Sequence, residues 1–219
     1  MKIGVLCPTG DELEPFIQYR KLTTDYVYAK RKIYTGNIGE HEMVALVSGA
    51  RKVNAAFCTA ILIQQFHVDF ILLAGVAGGI DPRLDVCDVV IADKTTYHDV
   101  PSEKLVKHQP GLTDHYLYAD AKAVERARVF FCDKNRIGSS SLTHIYIGTI
   151  TCGEDFIDKD GRDEIIAAYQ SLCVDMESAA VAQVCFALDI PFIAVRSISD
   201  TEKEPGRESL SKNLTAASY

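Results

Sequence analysis

The chain has 219 residues, of which 47% are hydrophobic and 24% charged, the composition of an ordinary globular domain with a sizeable core. Its formal net charge of −7 excludes the basic surface that nucleic-acid or membrane-surface binding requires. The N-terminus lacks the basic flank and long apolar core of a signal peptide, and no apolar run is long enough to span a bilayer. We therefore expect a cytoplasmic protein that binds neither nucleic acid nor membranes.

The cysteines and histidines indicate neither a disulfide framework nor a metal site. The seven cysteines are an odd number, are scattered and form no CxxC pair. The histidines show no HxH or HxxxH spacing. We predict reduced, mostly buried thiols, no bound metal and no cofactor.

Short apolar runs alternate with helical patterns along the chain. Continuous apolar runs are typical of strands that are buried on both faces, and their alternation with helices predicts an α/β fold. No linker or repeat divides the sequence, so residues 1–219 are predicted to form a single domain. The predicted strands are 3–6, 44–47, 70–73, 89–92, 146–150 and 192–195. One helix is predicted from the three- and four-residue spacing of Val53, Phe57, Ala60, Ile61 and Gln64. A later amphipathic helix is predicted from the apolar stripe of Val181, Val184, Cys185 and Leu188.

Two segments show weaker patterns. Segment 98–118 has little periodicity, and we predict a long loop that packs on another surface, such as a partner subunit. After Asp200 the chain is polar, and a helical pattern begins at Ser209.

The glycine-rich segment GVAGG (75–79) follows a predicted buried strand. It matches neither the dinucleotide fingerprint nor a P-loop. We predict a turn, which is either a simple tight turn or a place where backbone N–H groups approach a ligand.

Acidic residues and one arginine follow the predicted strands. Glu12 comes after the first strand, and Arg196 and Asp200 come after the last; Asp175 and Glu177 precede the late helix. Each acid alone is explained equally well by helix capping or the helix dipole. Because ligands of parallel α/β sheets bind at the carboxyl ends of strands, the order of all five favours a small-molecule site.

That order, together with several local motifs, resembles the 5′-methylthioadenosine/S-adenosylhomocysteine nucleosidase family of the nucleoside phosphorylase/nucleosidase superfamily. The resemblance implies a three-layer fold in which helices flank a central mixed, largely parallel sheet. It covers nearly the whole chain and rests on MKIGV (1–5), SGARKVNAA (48–56), AGVAGGI (74–80), YHD (97–99), TCGEDFID (151–158), VDMESAAVAQVC (174–185) and VRSISD (195–200).

The resemblance also implies roles for individual residues. Glu12 would activate the attacking water, Glu177 would hold the ribose hydroxyls, and Asp200 would protonate N7 of the leaving adenine. Arg196 would orient the acids. The other implied substrate contacts are Met176 under the sugar, Phe156 stacked on the base, the backbone of Ile157 at the base edge, Thr9, Ala50 and Leu210 around the 5′ substituent, and Val76, Ala77, Gly78, Asp175 and Ser199.

The activity implied is hydrolysis of the N-glycosidic bond of 5′-modified adenine nucleosides. A phosphorylase is the main alternative, with Arg51 or Arg83 as phosphate ligand, but strand 70–73 is apolar where phosphorylases of this superfamily place an arginine. A nucleosidase for another 5′-modified nucleoside, such as an aminofutalosine, and an inactive nucleoside-binding relative also remain open.

The sequence departs from the family pattern in three places. Val76 stands where these nucleosidases usually carry Ser or Thr, and the chain ends about one helix short. In the pocket for the 5′ substituent, Thr9, Ala50 and Leu210 occupy positions that are commonly larger or more apolar. The resemblance further implies a homodimer in which loop 98–118, with Ser102 and His108, lies near the partner's site.

Overall fold

A computed structural model describes residues 1–136, 143–157, 161–204 and 206–218. Seven helices and ten strands make up this part of the chain. The strands are β1 (Lys2–Cys7), β2 (Thr23–Tyr28), β3 (Arg31–Ile38), β4 (His41–Val47), β5 (Phe70–Gly79), β6 (Val89–Tyr97), β7 (Leu117–Tyr118), β8 (Ile145–Cys152), β9 (Cys173–Asp175) and β10 (Phe192–Asp200). The helices are α1 (Gly10–Arg20), α2 (Lys52–Phe66), α3 (Ser102–His108), α4 (Ala121–Arg136), α5 (Arg162–Tyr169), α6 (Ser178–Ala187) and α7 (Gly206–Ser218).

The strands form one mixed sheet with helices packed against it, which confirms the predicted α/β class. β1 lies parallel to β4 and β5, and β5 lies parallel to β10. The antiparallel strands β3 and β2 extend the edge beyond β4. At the other end, β5 pairs with both β10 and β9, so β5, β10, β6, β8 and β9 close into a ring. Closure removes the free edge on this side of the sheet.

All six predicted strands are present, and most continue beyond their apolar runs. The predicted glycine turn is wrong: residues 75–79 form the second half of β5, where Gly78 pairs with Val174 and Gly79 with Cys173. Arg196 also lies inside β10 rather than after it, and Asp200 is its last residue. β5 and β10 continue because closure of the ring gives the backbone of their polar and small residues a neighbouring strand on each side with which to form hydrogen bonds.

The predicted helix that contains Val53 and Phe57 is present as α2. Val53 is 80% exposed and Phe57 50% exposed, whereas Cys58 and Leu62 are fully buried. Helix α6 is less amphipathic than predicted. It is buried nearly all round between the sheet and α2, through Ala179, Ala180, Val181, Ala182 and Cys185, while Leu188 beyond its end is exposed.

Segment 98–118 is not the predicted loop. It contains α3 and β7, and Leu105, Leu112 and Leu117 pack into the main core of this same chain. The segment therefore has an internal packing surface, and its predicted contact with a partner subunit stays a prediction.

Helix α7 packs on β10 and α1. Its Asn213 amide donates to the Ser199 carbonyl oxygen at 3.0 Å. The predicted helix starting at Ser209 is thus confirmed, with its start three positions earlier, at Gly206.

Other sequence expectations concern thiols, metals and membranes. The cysteines whose side chains the structure describes are all free thiols, and Cys132 lies outside that set. Among the described residues, no group of His, Cys, Asp and Glu is arranged to hold a metal ion. None of the described helices combines the length and the apolar character needed to cross a bilayer.

Candidate active site

One cavity of about 410 Å³ gathers most of the predicted site residues. It opens where β1 and β5 run towards α1 and where α6 begins. Its walls are Pro8, Thr9, Glu12, Ala50, Arg51, Val76, Ala77, Gly78, Phe156, Val174, Asp175, Met176, Glu177, Leu210 and Leu214. Arg196, Ser199 and Asp200 lie directly behind this lining, as the contacts below establish.

Glu12 is held in place by three donors. It stands in the first turn of α1, where Thr9 and Glu12 form a reciprocal capping box. Its Oε2 accepts from the backbone N–H of Thr9 at 2.7 Å and from the Thr9 hydroxyl at 2.6 Å. Its Oε1 accepts from the N–H of Val76 on β5 at 2.8 Å. Helix capping therefore explains only part of this geometry, because the contact with β5 aims the carboxylate across the cavity wall.

Arg196 is completely buried and binds two of the predicted acids. Its Nε donates to Oδ2 of Asp175 at 2.8 Å and its Nη2 donates to Oε2 of Glu177 at 3.0 Å. The same Nη2 also forms an ion pair with Oδ2 of Asp175 at 2.7 Å. Burial alone would lower the pKa of Arg196, but the carboxylates of Asp175, Glu177 and Glu12 outweigh it and raise the pKa above its ordinary value. Arg196 therefore stays charged and fixes the two acids relative to each other.

Glu177 is the N-cap residue of α6 and is also buried. Its Oε1 accepts from the backbone N–H of Arg51 at 2.8 Å. Burial raises the pKa of Glu177 to about 7, an effect that Arg196 opposes and Asp175 reinforces. Its carboxylate is consequently sensitive to proton uptake close to neutral pH.

Gly75 leaves the space in which the two halves of the site meet. A Cβ on this residue would lie within 2.5 Å of both Oε1 of Glu12 and Nη1 of Arg196. That Nη1 is buried and has no hydrogen-bond partner among the described residues. A donor and a carboxylate oxygen thus flank Gly75, an arrangement that suits a small polar reactant.

Asp200 ends β10 and is fully buried beside the cavity. Its Oδ1 accepts from the Ser199 hydroxyl at 2.8 Å. Its Oδ2 lies 3.2 Å from the position that a Cβ on Gly78 would occupy. Since Gly78 lines the cavity, the absence of a side chain there leaves the Asp200 carboxyl close to anything bound inside.

The remaining predicted contacts lie where a sugar or base would touch apolar surface. Phe156 and Met176 are half-buried in the wall, and Leu210 of α7 closes one side. Ile157 does not line the cavity; its side chain packs with Ile80, Ile165 and Val174, and the predicted contact of its backbone with the base stays a prediction. Asp158, the last residue of the motif 151–158, lies outside the described residues.

The structure separates the two arginines considered as phosphate ligands. Arg83 forms an exposed ion pair with Asp81 at 2.8 Å and lines a different depression. Arg51 lines the cavity, and its Nη1 reaches the carbonyl oxygen of Glu154 at 3.1 Å.

Sequence reasoning missed several residues of this site. Pro8, Val174 and Leu214 carry no chemical signal, although Pro8 and Val174 each adjoin a predicted contact. Arg162 was missed entirely, and its Nη2 lies 3.8 Å from Oδ2 of Asp200. An isolated arginine at the start of a short helix offers no signal in the sequence.

The electrostatics of the cavity favour a developing positive charge. Three carboxylates, those of Glu12, Asp175 and Glu177, share one buried guanidinium, Arg196. Such an excess of fixed negative charge stabilises a cationic transition state. Asp200 supplies a further buried acid next to Gly78.

Comparisons with known proteins agree with this geometry. The family model of the phosphorylase superfamily matches residues 2–218. A 5′-methylthioadenosine/S-adenosylhomocysteine nucleosidase of Marinomonas sp. (strain MWYL1) is 31% identical over 220 residues, which cover 98% of this chain and 92% of the relative. The nucleosidase of the same name from Geobacillus thermodenitrificans is 32% identical over 222 residues, with 99% and 91% covered.

Solved structures show the same similarity. The S-adenosylhomocysteine nucleosidase of Streptococcus pyogenes, in complex with 5-methylthiotubericidin, gives a TM-score of 0.87 at 28% identity and covers 100% of this chain and 91% of its own. A nucleosidase of Colwellia psychrerythraea 34H in complex with adenine gives 0.85 at 27% identity, with 100% and 90% covered. The predicted family is confirmed: this chain belongs to the phosphorylase superfamily and, within it, to the 5′-methylthioadenosine/S-adenosylhomocysteine nucleosidase family.

Proposed function

We propose that this protein hydrolyses the N-glycosidic bond of 5′-methylthioadenosine and S-adenosylhomocysteine and releases adenine. The observation that carries the proposal is the cavity in which Arg196 binds Asp175 and Glu177 while Glu12 is anchored to β5. The relatives of that name, and the neighbour that holds adenine, support this choice of substrate. It would place the protein in methionine salvage and purine metabolism, and the free thiols support a cytoplasmic location.

Bond cleavage develops positive charge on the ribose, and the acids are placed to stabilise it. The carboxylate oxygens of Glu177 that face the cavity accept hydrogen bonds from the ribose hydroxyls. Met176 packs under the sugar. Asp175 remains bonded to Arg196 and holds that guanidinium against Glu177. Preorganised charges of this kind act without reorganisation during the reaction, which is why they lower its barrier.

The attacking water is bound and deprotonated at Gly75. Glu12 takes its proton, because Oε1 borders that point and Thr9 fixes the other oxygen. Nη1 of Arg196 donates a hydrogen bond to the same water. Water attacks C1′ on the face opposite the departing base, the two-carboxylate geometry of inverting glycosidases.

Departure of adenine is assisted by Asp200. Phe156 stacks on the purine, the backbone of Ile157 meets its edge, and Asp200 gives a proton to N7 from its place over Gly78. Ser199 orients that carboxyl through its hydroxyl. General acid catalysis of this kind contributes roughly 10²- to 10⁴-fold.

Hydrolysis is favoured over phosphorolysis by the charge around the proposed nucleophile. Glu12 lies beside Gly75, and a phosphate dianion there would face this carboxylate. Arg196 is already bonded to two acids, and Arg51 is engaged by Glu154. A buried phosphate without dedicated cations is costly.

The test incubates the protein with 5′-methylthioadenosine, with and without phosphate, and measures released adenine by chromatography. We expect the same rate of release in the presence and in the absence of phosphate. Asp200→Asn and Glu12→Gln should each reduce the rate by at least about 100-fold while circular dichroism stays unchanged. Adenine release that depends strictly on phosphate would instead identify a phosphorylase. Binding of the nucleoside without turnover would identify an inactive relative. A panel of other 5′-modified nucleosides tests whether the protein is a nucleosidase for one of them.

We further propose a homodimer in which α2 and α6 meet the partner and segment 98–118 lies near the partner's site. Support comes from Val53 and Phe57, apolar side chains that are exposed on α2. Val53 borders a depression of about 410 Å³ whose lining includes Val184 and Leu188. Helix α3 borders the adjoining depression through Leu105 and His108, which places this segment beside the same surface.

A further inference from the structure

Arg162 is a buried cation that the proposed function leaves without a role. It is the first residue of α5, is 4% exposed and lies outside the cavity lining. Its Nη1 donates to the carbonyl oxygen of Gly79 at 3.4 Å, and its Nη2 lies 3.8 Å from Oδ2 of Asp200. The guanidinium therefore bridges the end of β5 and the carboxyl at the end of β10.

The surroundings of Asp200 make this contact electrostatically important. β5 presents Gly78 and Gly79, and β9 presents Val174, none of which is charged. Helix α7 contributes the neutral amide of Asn213, whose neighbour Glu204 is exposed. Within β10, Arg196 is bonded to Asp175 and Glu177 instead. Among the described residues, Arg162 is thus the cation that forms an ion pair with Asp200.

We propose that Arg162 is a positioning residue that holds the Asp200 carboxyl over Gly78 and stabilises the carboxylate left when Asp200 gives up its proton. The inference rests on the proposed function of Asp200 as the acid. As the C1′–N9 bond breaks, its electron pair stays with the purine, and the proton moves from Asp200 to N7. The new negative charge then lies beside Arg162. The attacking water gives its proton to Glu12; exchange with solvent then removes that proton from Glu12 and returns one to Asp200.

This role has a signature that a purely structural role lacks. A neighbouring cation lowers the proton affinity of a carboxyl group, commonly by about 1–3 pKa units. Removal of the charge should therefore move the alkaline limb of kcat/KM to higher pH and, at the same time, lower its maximum. Loss of packing alone would lower the maximum and leave the limb in place.

The experiment measures the proton affinity of Asp200 directly. Protein labelled with ¹³C at the aspartate carboxyl carbons is titrated by NMR, and Asp200→Asn identifies the signal. Arg162→Gln removes the charge but keeps an amide that can donate to Gly79. We expect its Asp200 midpoint to rise by about one unit or more, with Arg162→Lys restoring most of the wild-type value. Arg83→Met, which breaks an exposed pair elsewhere, is the matched control and should leave the midpoint unchanged.

The two readouts separate this inference from the proposed function. An Asp200 midpoint that Arg162→Gln does not move would overturn the inference, whether or not adenine is released. A midpoint that moves in a protein that releases no adenine would support the pairing and overturn the proposed function. If Arg162→Gln does not fold, Arg162→Met is titrated under the same criteria.

Discussion

Arg196 links the acids of the site to one another. It is fully buried, bonded to Asp175 and Glu177, and flanked by Glu12 across Gly75. Removing one member of such a buried network leaves the others as uncompensated charges, which is strongly destabilising. The spacing between these side chains depends on Gly75, because a side chain at this position would occupy the point where they meet.

Gly75→Ala should therefore inactivate the protein with little effect on its secondary structure. The added methyl would push Glu12 and Nη1 of Arg196 apart, and a misplacement of about 1 Å at a reacting group costs about 100-fold in rate. We expect at least that loss in kcat/KM for adenine release. Gly10→Ala is the control, since a Cβ there meets nothing within 4 Å; similar activities for the two variants would contradict the proposed site.

Substrate binding should weaken as the pH falls through about 7. Burial raises the pKa of Glu177 to about 7, so the carboxyl group is mostly ionised above that pH and mostly protonated below it. Ribose hydroxyls need the carboxylate as acceptor, and each pH unit below 7 should weaken binding of a non-hydrolysable 5′-methylthioadenosine analogue by up to about tenfold. Calorimetric titration measures the affinity for the analogue at each pH. Glu177→Gln should bind the analogue weakly, with an affinity that does not change with pH. If the affinity of this variant still falls below pH 7, another group is responsible.

At the scale of single elements, the site depends on how strands and helices end. β5 and β10 continue past their apolar runs, which brings Gly78 and Asp200 to the cavity wall. Arg51 is the N-cap residue of α2, and its φ of 84° and ψ of 160° lie in a region that is essentially restricted to glycine. This conformation lets the Arg51 N–H donate to Glu177, so local strain at the start of α2 supports the site.

Relief of this strain should stabilise the protein. A non-glycine residue in this conformation costs roughly 1–3 kcal/mol, of which the greater flexibility of unfolded glycine offsets about 0.4–1 kcal/mol. We expect Arg51→Gly to be more stable than Arg51→Ala by about 1 kcal/mol in urea unfolding. Both variants lose the exposed pair with Glu154, so the comparison isolates the backbone. Equal stabilities would show that Arg51 is not strained.

At the scale of the whole molecule, closure of β5, β10, β6, β8 and β9 brings distant segments to one cavity. Glu12 and Glu177 are far apart in sequence yet meet around Arg196. The same packing leaves an apolar face on α2 and α6 that the chain itself does not cover. Exposed apolar patches of this kind mark interaction sites, which is the basis of the proposed homodimer.

Val53→Glu should disrupt that homodimer. A buried and unpaired carboxylate at a subunit interface is costly, so the variant should be monomeric in light scattering at concentrations where the wild type is dimeric. We also expect a higher KM, because segment 98–118 would no longer lie at the partner's site. Val27→Glu on β2 is the control, since Val27 is similarly apolar and 64% exposed but belongs to the opposite end of the sheet. A wild type that is itself monomeric would refute the dimer.

Much of the fold could be predicted from the sequence because its central strands are continuous apolar runs. The strands at 70–73 and 192–195 were found in this way, and the family was identified from motifs that follow them. The hairpin of β2 and β3 was missed, since TTDYVY and RKIYTGNI are largely polar. Helical spacing placed Val53 and Phe57 on a helix but could not show that they are exposed, because it identifies apolar residues and not the surface that they face.

The sequence by itself determined the α/β class, the family and which acids to consider, because apolar periodicity and local motifs are properties of neighbouring residues. Only the tertiary structure decided that GVAGG continues a strand, that Arg51 rather than Arg83 borders the cavity, and that Arg162 lies beside Asp200. Those facts depend on strand pairing and packing between residues that are distant in the chain. Contacts of that kind leave no local pattern to detect.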